Sequence, residues 1–164
     1  MRLNDATVLL ERNSQQIGNW VLREVGRQLK TWQAEVPGFD KVTVNVNIAV
    51  CQFLQPGFID FLKEILDDNG LAPSNLRLEL TESVLMEDSA RSIEILESIK
   101  AIGIKLAIDD FGTGYSALSY LQQFPLDDLK IGESFVHKLS VNAECYEIVK
   151  TIVDLSQKLG VNVV

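Results

Sequence analysis

The chain has 164 residues, 46% of them hydrophobic and 23% charged, with a formal net charge of -8. That length supports one domain with its own core, and the composition excludes a disordered chain. The charge argues against a nucleic-acid polymer held through a basic surface, and no run of about 18 apolar residues exists to span a membrane.

In chain order, apolar residues at 17, 21, 25 and 29 mark one face of a helix, with Trp20 and Trp32 beside them and expected to pack. The segment "VTVNVNI" (42–48) alternates with period two and predicts a strand. "GFIDFLKEILDDNG" (57–70) predicts a helix with Phe58, Phe61, Leu62, Ile65 and Leu66 on one face and Gly70 as its stop. "LRLELTE" (76–82) alternates again, and 88–102 returns to helical spacing. "IKLAIDDF" (104–111) predicts a strand, followed by a short helix and a strand in "LDDLKIG" (126–132). A last helix runs through Cys145, Ile148, Val149, Ile152 and Leu159 to Gly160, and "VNVV" (161–164) begins another strand. Strands alternating with helices imply a parallel sheet, either doubly wound or part of a (β/α) barrel. No linker or second domain is visible in 1–164.

Polar residues fall late in each strand: Asn47, then Glu79 and Glu82, then Asp109 and Asp110, then Lys130. In parallel α/β folds these carboxyl ends share one rim, where ligands bind. An amide, several carboxylates and an ammonium on one rim suit a hard cation, Mg²⁺ or Mn²⁺. Two such ions would serve an in-line phosphoryl displacement. Adjacent aspartates repel unless something binds them, which favours metal over a solvated turn for Asp109 and Asp110. Glu82 alone reads equally well as a helix cap. Asp127 and Asp128 read as a solvated turn, His137 as a surface residue without triad or zinc partners, and Cys145 as a buried thiol. The two cysteines are too few for a disulfide scaffold and imply a reducing compartment. The first residues lack a signal peptide's blocks, so a cytoplasmic location is expected. "GTGYSA" (112–117) matches a dinucleotide-binding pattern. The aspartates before it would face a pyrophosphate without a counter-ion, so the metal reading explains more.

"LELTES" (78–83), "DDFGTGYSALSYL" (109–121) and "LKIGESFV" (129–136) closely resemble the signature blocks of EAL domains, and "VNVNIAVCQF" (44–53) and "IGNWVLREVGRQLKTW" (17–32) fit the same family. The resemblance covers nearly the whole chain. It implies a bacterial (β/α) barrel that hydrolyses cyclic di-GMP to linear pGpG with Mg²⁺ or Mn²⁺, or a member that has become a receptor or protein-interaction module. It makes Asn47, Glu79, Asp109 and Asp110 metal ligands, Lys130 the catalytic lysine, and Glu82 the anchor of the loop "DFGTGYS". That loop connects to a dimer interface in the family, so a homo-oligomer through 110–121 is implied.

The resemblance also places two metal-site glutamates in blocks outside 1–164, and an aspartate where Gly132 stands. The chain is therefore expected to be a partial TIM-type barrel of about five parallel strands, lacking the first and last barrel elements and inactive or weak as it stands. An open arc is expected to expose an apolar inner face and two sheet edges, which would pair with a second copy.

Overall fold

The computed structural model describes residues 3–86, 89–112, 121–139 and 142–164. Five strands form one sheet: β1 (Val44–Asn47), β2 (Leu76–Thr81), β3 (Lys105–Phe111), β4 (Asp128–Ile131) and β5 (Asn162–Val163). All neighbours are parallel, and the spatial order is the sequence order. A doubly wound sheet reverses its order at a switch point, whereas a barrel winds in one direction. The unreversed order settles that choice for the barrel, present as an arc with β1 and β5 as its edges.

Among the described residues the α-helices are α1 (Leu3–Glu35), α2 (Val50–Phe53), α3 (Phe58–Asn69), α4 (Glu82–Met86), α5 (Ser89–Ile102), α6 (Glu133–Val136) and α7 (Ala143–Leu159). Helix α1 starts well before the predicted face, because no glycine or proline interrupts the chain before Gly18. It docks through Leu22 and Leu29, both fully buried. Trp20 lies off that stripe and is 64% exposed, contrary to expectation. Trp32 is partly exposed and packs tilted against Phe39, with ring centroids 5.7 Å apart. Helix α3 closes on Gly70 in the left-handed conformation, as its sequence predicts. Cys145 is half-buried rather than buried. Among the described residues no helix is long and apolar enough to cross a membrane.

Strand alternation divides the sheet into two faces. Leu76, Leu78, Leu80, Leu106, Ile108 and Leu129 are fully buried and form one core with Leu62, Leu96 and Ile99 of the helices. The opposite face is the barrel interior, and it is polar, which corrects the expected apolar arc. Its lowest row holds Asn45, Arg77 and Lys105, the next Asn47, Glu79, Ala107, Asp128 and Asn162. Arg77 Nε lies 2.9 Å from Asp128 Oδ2, a charge contact without hydrogen-bond alignment. Asn162 donates to Asp128 Oδ1 at 3.2 Å.

The pair Asp127–Asp128 is thus no solvated turn. Asp128 is 5% exposed. The Asp127 carboxylate accepts the Leu106 N–H at 2.8 Å and holds Lys100 Nζ at 2.7 Å. One carboxylate therefore ties α5, β3 and β4 together. Strand β4 begins at Asp128, two residues later than "LDDLKIG" suggests, although the Asp127 backbone already bonds to Leu106 and Asn162.

Asn75 fixes the other end of the sheet. It is 2% exposed and fills its hydrogen-bonding capacity. Its Nδ2 donates to the carbonyls of Asp40 (2.7 Å) and Val42 (2.9 Å), and its Oδ1 accepts from Ala72 N (3.1 Å) and Gln33 Nε2 (3.2 Å). Truncation leaves buried backbone groups without partners, at about 1–3 kcal/mol for such a group. Asn75→Ala is expected to destabilise the domain by about 3 kcal/mol, and Asn75→Asp by more at neutral pH, since a carboxylate then faces two carbonyls. Urea titration checks this as a fall in midpoint at constant slope.

Candidate active site

The carboxyl ends of β1 to β4 carry the predicted residues to one rim. Asn47 stands in register with Glu79, and Thr81 with Asp109. Glu79, from the middle of β2, is 5% exposed. Lys130 Nζ, on β4, lies 2.9 Å from Glu79 Oε2 and 3.0 Å from Asp109 Oδ1. Three residues separated by up to 51 positions thus meet at one ammonium. Both bridges from β4 to β2, Lys130–Glu79 here and Arg77–Asp128 below, reach across β3 beside Ala107. A methyl group there leaves the passage open.

Partial burial pulls the Lys130 pKa down, but the hydrogen bonds it donates to Glu79 and Asp109 together outweigh this and hold it above the ordinary lysine value. Lys130 is therefore a fixed positive charge at neutral pH, suited to phosphate oxygens or to ordering a water, and not a proton acceptor.

Asp110 is placed by a bulge. Ile108 pairs with Leu129, but Phe111 pairs with Ile131, so β3 spends one residue more than β4. Asp110 takes φ 53, the positive-φ position outside glycine among the described residues. Asp tolerates this region better than most side chains. The bulge breaks the alternation that would bury Asp110 among the helix-facing leucines, and it is exposed at the rim instead. Its N–H donates to Asp109 Oδ1 at 3.0 Å. Gly112 follows at φ 90, where an added Cβ would meet Phe135 at 3.3 Å, so only glycine suits this exit from the strand.

Glu82 opens α4 directly after β2 and is 6% exposed. The loop it is expected to anchor, with the "GTGYSA" pattern and the implied dimer contact, lies mostly outside the described residues, which resume at Leu121. His137 is exposed and paired with Glu133 at 2.9 Å, one helical turn away.

The residue missed by the sequence reading is Asn45. Its Nδ2 donates to Glu79 Oε1 at 2.7 Å. The period-two spacing of Asn45 and Asn47 in "VNVN" was the available signal, since it puts both amides on the inner face.

The donor set is one of hard oxygens around a position already satisfied by one positive charge, which fits Mg²⁺ or Mn²⁺ in chemistry. Among the described residues no group of three His, Cys, Asp or Glu side chains converges tightly enough to hold an ion as placed. Glu79 and Asp109 are drawn to Lys130, and Asp110 stands outward on its bulge.

A family model described as EAL domain matches residues 6–164. The bifunctional diguanylate cyclase/cyclic di-GMP phosphodiesterase MucR of Pseudomonas aeruginosa is 40% identical over 149 residues, covering 91% of this chain and 22% of that protein. The chain thus spans under a quarter of this relative. The solved structure of the MucR phosphodiesterase in complex with c-di-GMP superposes with a TM-score of 0.85 at 38% identity, covering 98% of this chain and 63% of that one. A calcium/cy-diGMP complex of Klebsiella pneumoniae BlrP1 superposes with a TM-score of 0.76 at 26% identity, covering 93% of this chain and 37% of that one.

The shared ammonium gives a thermodynamic signature. Lys130→Met leaves the nearly buried Glu79 carboxylate without its cation and is expected to cost about 2 kcal/mol, below the range for a fully buried pair because Lys130 is partly exposed. Glu79→Gln in the Lys130→Met background is expected to restore most of that loss. A double-mutant cycle by chemical denaturation reads the coupling.

Proposed function

The chain belongs to the EAL domain family, and on that footing we propose that it binds cyclic di-GMP at the rim of β1 to β4 and hydrolyses one phosphodiester bond to give pGpG. The observation that carries the reading is the convergence of Glu79 and Asp109, from different strands, on Lys130. Asn47, Glu79, Asp109 and Asp110 would hold Mg²⁺ or Mn²⁺. Bound there, such ions neutralise phosphate charge and lower the pKa of water. Lys130 contributes a permanent charge toward the phosphate, and Glu82 would anchor the loop "DFGTGYS" at the end of β3. The name of MucR and the metal-containing complex of BlrP1 support the substrate class and the use of a cation. The location that suits an intracellular nucleotide is the cytoplasm.

The 164-residue chain on its own is expected to turn over slowly. It carries four of the oxygen ligands that the resemblance implies, and Gly132 offers no side chain at the end of β4. That glycine favours a second reading, a receptor that binds cyclic di-GMP without hydrolysis. Its backbone, at φ -57 and ψ 135, is open to any L-residue. A second copy is the proposed protein partner, met through the loop at 110–121 or through the sheet edges at β1 and β5.

Chromatography of pGpG in Mn²⁺ or Mg²⁺, with calorimetry of cyclic di-GMP in EDTA, separates the readings. Hydrolysis is expected to be slow, to fall at least about a hundredfold in Asp109→Asn, and to rise in Gly132→Asp. Binding without turnover in both the parent chain and Gly132→Asp selects the receptor, and no binding in either buffer removes both readings. Light scattering at micromolar concentration is expected to show particles larger than one chain; a monomer with a cooperative melt removes the edge pairing.

A further inference from the structure

Glu79 is 5% exposed, and its two oxygens have different neighbours. Oε2 meets the Lys130 ammonium at 2.9 Å, and Oε1 accepts from Asn45 Nδ2 at 2.7 Å. We propose that Asn45 is a positioning residue that fixes the Glu79 carboxylate and thereby sets which of its lone pairs a divalent cation at the rim meets. The inference rests on the metal-dependent reading above.

The argument is one of charge and reach. A carboxylate oxygen has two acceptor sites, so each oxygen of Glu79 keeps one after its present partner is served. Lys130 both orients the carboxylate and offsets its charge. Asn45 is neutral, so it orients while leaving the full negative charge for a cation. Asn45 sits on β1 one inner-face position before Asn47, and its register partner is Arg77, not Glu79. Its short side chain therefore reaches diagonally to Glu79 from below, so its hydrogen bond does not itself take up the rim side of the carboxylate. Asn47, the direct register partner of Glu79, stays on the rim as a separate oxygen donor. Partners behind a metal ligand commonly set affinity by 10- to 100-fold, and an amide donor to a carboxylate is such a partner.

Titration calorimetry with Mn²⁺ on the whole 164-residue chain tests this, comparing the parent chain with Asn45→Ala, Asn45→Ser and Glu79→Gln. Glu79→Gln is expected to abolish binding at the rim. Asn45→Ala and Asn45→Ser are expected to weaken it about tenfold. Asn45 is exposed, so the melting midpoint in EDTA is expected to stay at the parent value in both. Any loss of cyclic di-GMP turnover in Asn45→Ala is then expected to vanish as Mn²⁺ is raised to saturation. Unchanged Mn²⁺ affinity in both Asn45 variants, with binding lost in Glu79→Gln, overturns the positioning role and leaves the metal reading standing. Unchanged affinity in all three variants overturns the metal reading and the inference with it. Weaker binding accompanied by a fallen midpoint in EDTA overturns it in favour of a structural role.

Discussion

One ammonium shared by two carboxylates organises the rim. For Lys130 to meet both Glu79 and Asp109, strands β2, β3 and β4 must hold one register. A slip of one residue in β4 would send Lys130 to the leucine-lined face and bring Leu129 or Ile131 inward. The pairing of Ala107 with Asp128 fixes the register from below. Asp127 fixes it from the edge, by taking the Leu106 N–H and Lys100 with a single carboxylate. The chemistry at the top of the sheet thus depends on a polar clamp at its base. Ala107 connects the two levels, because a larger side chain there would stand between β4 and β2.

The bulge in β3 is the second constraint. Adjacent residues of a strand face opposite sides, so two neighbouring aspartates cannot both serve one face of a regular strand. The extra residue between Ile108 and Phe111 takes Asp110 off the helix-facing side and leaves it exposed at the rim, with a left-handed backbone. Such backbone outliers persist where surrounding structure holds them and cluster at functional sites. Gly112 completes the exit by allowing the chain to pass close to Phe135.

Much of this was legible in the sequence. The five strands, their parallel pairing and the rim follow from period-two runs alternating with helical ones, with polar residues late in each strand. The barrel reading over the doubly wound one came from the signature blocks, and the unreversed order supports it independently. What was not legible is the pairing of charges across strands. Asp127 and Asp128 look alike in "LDDLKIG", yet one faces the Leu106 backbone and the other Arg77, and only register tells them apart. Asn45 escaped for the same reason: its partner is 34 residues away. Trp20 was misread because an apolar residue near a helical stripe is not on it, and two positions from Leu22 is nearly half a turn away.

The distribution of charge inside the arc also has a direction. The base carries Arg77 and Lys105 against Asp128, and the rim carries Glu79, Asp109 and Asp110 against Lys130. The rim is therefore acidic, on a chain whose net charge is already -8. Two like unit charges 4 Å apart repel by about 4 kcal/mol at an effective dielectric of 20. An anionic ligand would meet such repulsion from a carboxylate whose charge is not offset, and Lys130 is shared between Glu79 and Asp109. Added cations reverse that sign locally. With cations bound, the same carboxylates would favour a phosphate that they otherwise repel. On the proposed reading, an acidic rim with one ammonium suits an anionic ligand best with cations bound beside it. Asn45, which orients Glu79 without neutralising it, fits that logic where a second lysine would not.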